Sequence, residues 1–345
     1  MDPIESKQQK NVPFQYLLTI GIVAMEGRGF EYPIDTLPSK NGVIYVTNKS
    51  RNEGVRGVRI SMLNLKSEYF GEFGLFGDQD GLLTSPSGIA EDQSGNVLVL
   101  DEALNRLTTY NQDGTFINKW EPSTDSGYCL SGPSSLTVDS NGDVFVSDTG
   151  NHRIVKFDKN GLVMSSFGGE GSAPGKFKYP WGITTDNHNN IYVSDWGNDR
   201  IQLFSSDGIY VRSYKGTIHN NYNLNHPSSV QIDPNGNLII ADWGNESIKI
   251  VSSDDHLIQE LRGEATLSVW AQEFMDSNRE EYDARKTSNL DNLAVEGDGS
   301  SRHTISAHVE KYFWGPTSVK LDSNSRLYVT DSNRHRIQIY EWIST

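Results

Sequence analysis

The chain has very little cysteine and no long hydrophobic run. Its one cysteine, Cys129, cannot form a disulfide within the chain, which fits a reducing compartment. The longest apolar stretch near the start, from 14 to 25, is too short to span a bilayer. The first ten residues lack the basic and apolar regions of a secretory signal. We therefore expect a cytoplasmic monomer without a membrane segment.

Positive charge is also scarce. Against 45 Asp and Glu the chain has 30 Lys and Arg, which gives a formal net charge of −15. Because phosphate backbones attract Lys and Arg, a chain this acidic is a poor general nucleic-acid binder. A local basic face could still bind RNA, since net charge does not report on patches. The expected partner is a small molecule or a peptide segment rather than a nucleic acid or a membrane.

What the sequence does have is a repeat, accompanied by 32 glycines. A proline is followed two residues later by Gly or Ser and then by an apolar residue. The pattern starts at Pro86, Pro133, Pro180, Pro227 and Pro316, and a weaker copy starts at Pro33. The first four copies are 47 residues apart, and the interval before the last one is 89 residues. A period of this length is typical of propellers and solenoids.

Each period contains the same four segments. A short apolar strand and an Asp-initiated turn such as 233–237 are followed by an alternating strand that ends in Asp. A third strand opens on Arg-Ile, as at 153–154, and a second turn leads to a fourth strand. Four antiparallel strands per period predict a propeller blade, so six periods predict an all-β, six-bladed β-propeller.

The last period stops after its third strand. The segment 15–20 resembles the fourth strands of other blades, so we predict that it completes blade six and removes an exposed edge. The expected organisation is a single domain over 1–345. Its parts are a disordered tail at 1–11, the closing strand and link at 12–32, blades one to five at 33–262, a helical insertion at 263–313 and blade six at 314–345.

The order Pro-x-Gly-Ile, Asp-x-x-Gly-Asn, Tyr-Val-x-Asp and Gly-Asn-x-Arg-Ile resembles the NHL repeat, most clearly at 133–154 and 180–201. The resemblance implies a six-bladed propeller, but NHL-like propellers include protein-binding modules, RNA-binding modules, lyases and hydrolases. Asp and Arg recur five residues apart in several blades. We interpret these pairs as structural, because a unique active site does not need several copies. They are Asp148 with Arg153, Asp195 with Arg200, and Asp331 with Arg336.

Two irregular insertions map to one face of the predicted propeller, at 49–58 in blade one and at 263–313. Loops on a rigid scaffold often carry function. Thr266 is expected to cap a helix that ends before the polar run 286–302. Its apolar stripe comprises Leu267, Trp270, Ala271, Phe274 and Met275. The helix either covers part of the axial opening as a lid or packs on the rim.

Aromatic residues depart from the repeat on the same face. Trp196 and Trp243 follow the repeat Asp, where other blades have Glu102, Thr149 and Ser332. Trp181 follows Pro180, where other blades have smaller residues. We predict that these tryptophans contact a ligand; the alternative is that they pack beneath the insertion helix. The residues expected near them are Tyr179, His226, Trp314, Arg51, Arg56 and Asp35.

A metal site is the obvious route to an enzyme. No His follows the first proline of any blade, which argues against zinc of the amidating-lyase type. Calcium prefers hard oxygen ligands, as gluconolactonase-like propellers supply on the axis, and the candidates here are Asp35, Glu102, Asn198 and Asn245. Two functions stay open. One is a propeller that binds a small molecule or partner segment, and the other is a hydrolase or lyase with an axial divalent metal.

Overall fold

The computed structural model describes residues 13–50, 55–122, 128–216, 220–288, 290 and 301–343. The expected tail at 1–11 lies outside these residues. Six sheets of four antiparallel strands are present. The first strands of the blades contact one another around a closed ring. The predicted six-bladed propeller is therefore confirmed.

Blades one to five each consist of four consecutive strands, numbered from the axis outward. Blade one contains β2–β5 at Pro33–Pro38, Ile44–Asn48, Arg59–Leu63 and Tyr69–Phe73, and blade two contains β6–β9 at Pro86–Glu91, Val97–Asp101, Arg106–Tyr110 and Phe116–Trp120. Blade three contains β10–β13 at Ser135–Val138, Val144–Asp148, Arg153–Phe157 and Val163–Gly168. Blade four contains β14–β17 at Pro180–Thr185, Ile191–Asp195, Arg200–Phe204 and Tyr210–Tyr214, and blade five contains β18–β21 at Pro227–Ile232, Leu238–Asp242, Ser247–Val251 and Leu257–Leu261.

Blade six combines both ends of the described chain. It contains β22 at Pro316–Leu321, β23 at Leu327–Asp331, β24 at Arg336–Trp342 and β1 at Phe14–Ile20. β1 pairs antiparallel with β24, with Tyr16 opposite Tyr340 and Ile20 opposite Ile337. Phe14 and Ile20 are buried in the cores that flank this blade. The predicted closure by an N-terminal strand is confirmed.

The recurrent residue that ends each second strand holds the segment leading into its blade. Asp195 accepts the backbone N–H of Lys178, 17 residues earlier, at 2.7 Å. The same 17-residue bond occurs in all six blades, with Asn48 acting in blade one. The acceptors are Asn48, Asp101, Asp148, Asp195, Asp242 and Asp331. Such a bond fixes where the first strand begins, so this residue has a structural role.

The interpretation of the Asp–Arg pairs as structural is also correct. Nε of Arg153, Arg200 and Arg336 lies 2.7–2.8 Å from the carboxylate five residues earlier. Blade five has Ser247 in the place of Arg, and Lys249 donates to Asp242 instead. A different cation thus neutralises the same buried carboxylate, as burial of a charge requires.

Neighbouring blades are joined through one residue in the left-handed region. The side chain of this residue accepts the backbone N–H that precedes the first proline of the next blade, for example His152 from Tyr179 at 3.1 Å. Five junctions between blades contain such a residue, and its φ lies between 51° and 55° in each. The acceptors are Asn105, His152, Asp199, Glu246 and His335. His152 and His335 are therefore blade connectors.

The insertion contains three described helices, α1 at Val269–Ser277, α2 at Arg279–Thr287 and α3 at Arg302–His308. The N-cap is Ser268, whose hydroxyl accepts from Ala271, rather than Thr266. Thr266 instead bonds the hydroxyl of Tyr16 in the closing strand. Most of the polar run 286–302 lies outside the described residues. Of the described helices, none has the length and apolar composition needed to cross a bilayer.

The lid prediction for the first helix is wrong, and the rim alternative is correct. Trp270 is buried between Phe30 and Tyr69, with ring centroids 5.8 and 6.3 Å away. Its Nε1 donates to the carbonyl of Ser67 at 2.7 Å, in the turn before the outermost strand of blade one. α1 therefore packs on the outer rim where blades six and one meet, because that site offers both an apolar pocket and a hydrogen-bond acceptor.

Alkaline pH is expected to unfold the propeller. Burial is the main cause that raises the pKa of many tyrosines: Tyr45, Tyr69, Tyr110, Tyr192, Tyr214, Tyr222, Tyr328 and Tyr340. A folded-state pKa above the unfolded value of about 10 stabilises the protein fully below that pH, and the contribution is lost as the pH rises further. Tyrosinate absorbance and circular dichroism should change together in one cooperative step. Ionisation of all tyrosines near pH 10 without loss of structure would contradict this prediction.

Candidate functional site

Three tryptophans of blades four and five form one aromatic surface, which we call the tryptophan shelf. The rings of Trp181 and Trp196 have centroids 6.0 Å apart, and those of Trp196 and Trp243 are 6.4 Å apart. Neighbouring rings are tilted by 44° and 50°. The structure therefore brings together the three residues that the sequence singled out.

In other blades, Ser or Thr at the corresponding positions donates a hydrogen bond to the next blade, which the tryptophans do not do. Thr149, in the position of Trp196, donates to the carbonyl of Pro180 at 2.7 Å. Ser87, in the position of Trp181, donates to the carbonyl of Pro133 at 2.7 Å. Further hydroxyls joining blades in this way are those of Ser134, Ser228, Thr317 and Ser332. The shelf thus replaces hydrogen bonds between blades with aromatic surface.

His226 extends the shelf at the junction of blades four and five. Its ring centroid lies 4.1 Å from that of Trp196. Its Nδ1 is 2.6 Å from the side-chain oxygen of Asn225 and 3.7 Å from the carboxylate of Asp199. The predicted proximity of His226 to the tryptophans is observed, and the histidine gives the shelf a polar edge.

The first helix of the insertion does not pack on the shelf. Trp243 is 37% exposed, and Trp181 and Trp196 are half-buried. α1 packs at the distant rim through Trp270. α3 lies beside the turn that Trp243 begins, and Arg302 donates to the carbonyl of Asn245 at 3.4 Å. The alternative in which the tryptophans pack beneath the first helix is therefore wrong.

A second aromatic contact lies at the junction of blades five and six. Trp314 Nε1 is 3.4 Å from Nε2 of His303 in α3, and Arg334 lies 5.4 Å from the Trp314 ring. The buried Glu246 binds His303 at 2.6 Å and accepts the Gly315 N–H at 2.6 Å. Burial raises the pKa of the Glu246 carboxyl, while both partners oppose the shift.

Sequence reasoning missed Glu246 and His303. The signal for Glu246 was its register, because it lies 47 residues after Asp199 in the position that joins blades. His303 carried no such signal, since its helix is outside the repeat.

Two other predicted residues, Tyr179 and Arg56, do not join the shelf. Tyr179 packs on the ring of His152, 4.7 Å away, in the preceding junction. Arg56 pairs with Glu26 at 3.3 Å beside blade one, which lies across the six-membered ring from blade four. Arg51 lies outside the described residues. The prediction that Arg56 contributes to the aromatic site is therefore wrong, because blade order places it on the opposite side.

Asp35 and Glu102 are engaged in contacts with the protein itself. Asp35 is 4% exposed and accepts hydrogen bonds from the backbone of Ile89 at 3.1 Å and from Ser318 Oγ at 2.5 Å. It thereby ties blade one to blades two and six. Glu102 pairs with Lys49 at 2.7 Å and accepts from Ser85 at 2.9 Å.

The two amides predicted as metal ligands belong to the repeat as well. Asn198 donates to Asp195, and Asn245 donates to Asp242 at 2.7 Å, each within its own blade. Within the described part of the chain, no group of three or more His, Cys, Asp or Glu could hold a metal ion. Calcium stays a prediction from the sequence, and these four residues give it no assembled ligand set.

Comparison with known proteins agrees with the repeat and the fold. The NHL repeat model matches residues 130–157, 177–204 and 313–340. The E3 ubiquitin-protein ligase TRIM71 of Gallus gallus is 29% identical over 119 residues, covering 29% of this chain and 14% of that protein. The chain thus spans a small part of the length of this curated relative.

Solved structures show the same fold at low identity. A streptogramin B lyase is 13% identical with a TM-score of 0.57, over 97% of this chain and 100% of that chain. Virginiamycin B lyase from Staphylococcus aureus, with selenomethionine, is 15% identical with a TM-score of 0.57, over 97% of both chains. A chain of a nidogen/laminin complex is 20% identical with a TM-score of 0.51, over 67% of this chain and 80% of that chain.

Six closed four-stranded blades define the class as a six-bladed β-propeller. The NHL repeat model matches three segments of the ring, in blades three, four and six. The chain is therefore a six-bladed β-propeller that contains NHL repeats.

Proposed function

We propose that the protein is a binding propeller whose tryptophan shelf takes an extended segment of a partner protein. The observation that carries the proposal is the replacement of blade-joining hydroxyls by three adjacent tryptophans. Among the described residues these three side chains form no hydrogen bond between blades, and Trp243 remains 37% exposed. Tryptophan is enriched among the residues that dominate binding energy at protein interfaces.

The spacing of the rings favours a peptide. In an extended strand, side chains on one side recur every two residues, at about 6.6 Å. The shelf rings are 6.0 and 6.4 Å apart, so alternate side chains of one segment can each meet a ring. The shelf also crosses from blade four to blade five, which suits an elongated ligand better than a compact one.

The enzyme alternative has less support. An axial metal needs several free oxygen ligands, and the candidate residues are engaged in bonds that join blades or close turns. The lyase structures are 13% and 15% identical to this chain, so they support the fold alone.

A peptide selection tests the proposal. A random library of twelve-residue peptides displayed on phage would be selected on the intact protein, and the enriched peptides would be synthesised. Trp196→Ala combined with Trp243→Ala should weaken their binding by more than about 30-fold, because removal of a hot-spot tryptophan costs about 2 kcal/mol or more. Fluorescence anisotropy of labelled peptides gives the dissociation constants.

The matched control is Phe70→Ala, which removes an aromatic ring that is 50% exposed on the outer strand of blade one. It should leave peptide binding unchanged. If no peptide is enriched, or if enriched peptides bind the double variant and the wild type equally, the shelf is not a peptide site.

A further inference from the structure

A cavity lies between the insertion and the propeller. It encloses about 530 Å³ and is bounded by the three helices, the link after β1 and the turn between β23 and β24. We call it the rim cleft. The repeat alone does not form it, because one wall consists of the insertion. Its volume falls within the range of about 300–1,000 Å³ that is usual for small-molecule sites.

One side of the rim cleft is apolar. Phe274 and Met275 of α1 line it, and Ile22 and Val23 of the link face it. Phe274 is 44% exposed and Val23 is 62% exposed. Apolar side chains that remain accessible on the walls of a cavity favour an apolar ligand.

The other side carries guanidinium groups, in a protein that is acidic as a whole. Three arginines and two histidines line the cleft, together with one carboxylate, that of Glu310. They are Arg285, His308, Arg334, His335 and Arg336. Glu310 is already bound by Arg285, whose Nη2 lies 2.9 and 2.8 Å from its two oxygens. Arg336 is likewise paired with Asp331, at 2.8 Å, so Arg334 is the arginine of the cleft that has no carboxylate partner among the described residues.

Arg334 is the residue best placed to hold an anion. Its Nη2 donates to the neutral carbonyls of Ser306, Ala307 and Val309 at the end of α3. Within the described residues no carboxylate forms an ion pair with it, and its buried Nε has no hydrogen-bond partner.

The electrostatic surroundings of Arg334 are also unfavourable to its charge. Burial lowers the pKa of this guanidinium, and the charge of Arg336 lowers it further. Asp331, Glu310 and Glu246 oppose the shift without cancelling it. A bound anion would reduce the repulsion between the two guanidinium groups.

We propose that the rim cleft binds an amphipathic anion, with a carboxylate head at Arg334 and an unbranched apolar tail against Phe274 and Met275. Charge complementarity selects the head, and the accessible apolar wall selects the tail. This site is separate from the tryptophan shelf, so either proposal can fail without the other.

Isothermal titration calorimetry of the full chain with decanoate tests the proposal. Decanoate should bind, and decyltrimethylammonium, with the same tail and the opposite charge, should bind at least tenfold more weakly. Octanoate should bind roughly tenfold more weakly than decanoate, because each buried methylene contributes about 0.8 kcal/mol. No binding of decanoate, or equal binding of the anion and the cation, would overturn the proposal.

Substitutions in the cleft test whether decanoate binds there. Met275→Trp should fill the cleft and weaken decanoate binding at least tenfold, whereas Val269→Trp, on the same helix but not lining the cleft, should not. Arg334→Gln should weaken binding and Arg334→Lys should largely retain it, which distinguishes loss of charge from loss of structure. Decanoate binding that survives both Met275→Trp and Arg334→Gln would refute the assignment. The double variant Trp196→Ala, Trp243→Ala should bind decanoate normally.

Discussion

Removal of residues 1–20 is expected to prevent the protein from accumulating as a folded, soluble monomer. The deletion removes β1, which supplies the fourth strand of blade six. It also removes the buried side chains of Phe14 and Ile20 from two cores. Each is worth about 1.5–3 kcal/mol, so the loss is comparable with the total stability of about 5–15 kcal/mol of a typical domain.

The exposed edge adds a second penalty. Without β1, the backbone groups of β24 that face it have no partner, and a free edge strand promotes association between chains. Size-exclusion chromatography should show aggregates, and circular dichroism should show no cooperative thermal transition near that of the intact chain.

Deletion of residues 1–12 is the matched control, since it shortens the chain but leaves β1 intact. Its melting temperature should equal that of the full chain. A 1–20 deletion that remains monomeric and melts like the control would mean that the closing strand contributes nothing to stability.

Replacement of Asp195 by alanine is expected to destabilise blade four by about 3–5 kcal/mol, the usual cost of leaving one partner of a buried ion pair alone. Asp195 is fully buried and accepts from Arg200 Nε at 2.7 Å, from Gln202 at 3.0 Å and from the Lys178 backbone at 2.7 Å. These three donors and the side-chain amide of Asn198 would lose this acceptor. We expect a fall in melting temperature on the order of 5–10 °C in differential scanning calorimetry.

Asp207→Ala provides the comparison within the same blade. Asp207 is exposed in the turn before β17, and surface substitutions of this kind change stability by less than about 0.5 kcal/mol. Because Trp196 directly follows Asp195, the D195A variant should also bind shelf-selected peptides more weakly. Equal melting temperatures for the two variants would show that the recurrent aspartate is not a stabilising element.

The shelf and the rim cleft illustrate two ways in which a repeat protein acquires specific sites. The shelf arises by substitution within the repeat, where Trp196 stands in the position that Thr149 occupies in blade three. The cleft arises by insertion, because one of its walls is a segment that no blade contains. A substitution of the first kind is visible when the repeats are aligned with one another, whereas a site of the second kind requires the docked position of the insertion.

The sequence by itself determined the number of blades, the strand order within each blade and the closing strand. These features follow from interactions at fixed separations, such as the 17-residue bond to Asp195 and the five-residue pair with Arg200. A contact that recurs at one spacing in every blade leaves a periodic trace in the chain. For the same reason the three tryptophans stood out as exceptions before any coordinates were considered.

Only the tertiary structure decided where the non-repeating parts lie. Trp270 donates to the carbonyl of Ser67, 203 residues away, and Asp35 accepts from Ser318, 283 residues away. Each of these contacts occurs once in the molecule, so the repeat pattern of the sequence cannot predict it. Their partners are chosen by burial of apolar surface and by satisfaction of buried polar groups, and both depend on the three-dimensional arrangement of the blades.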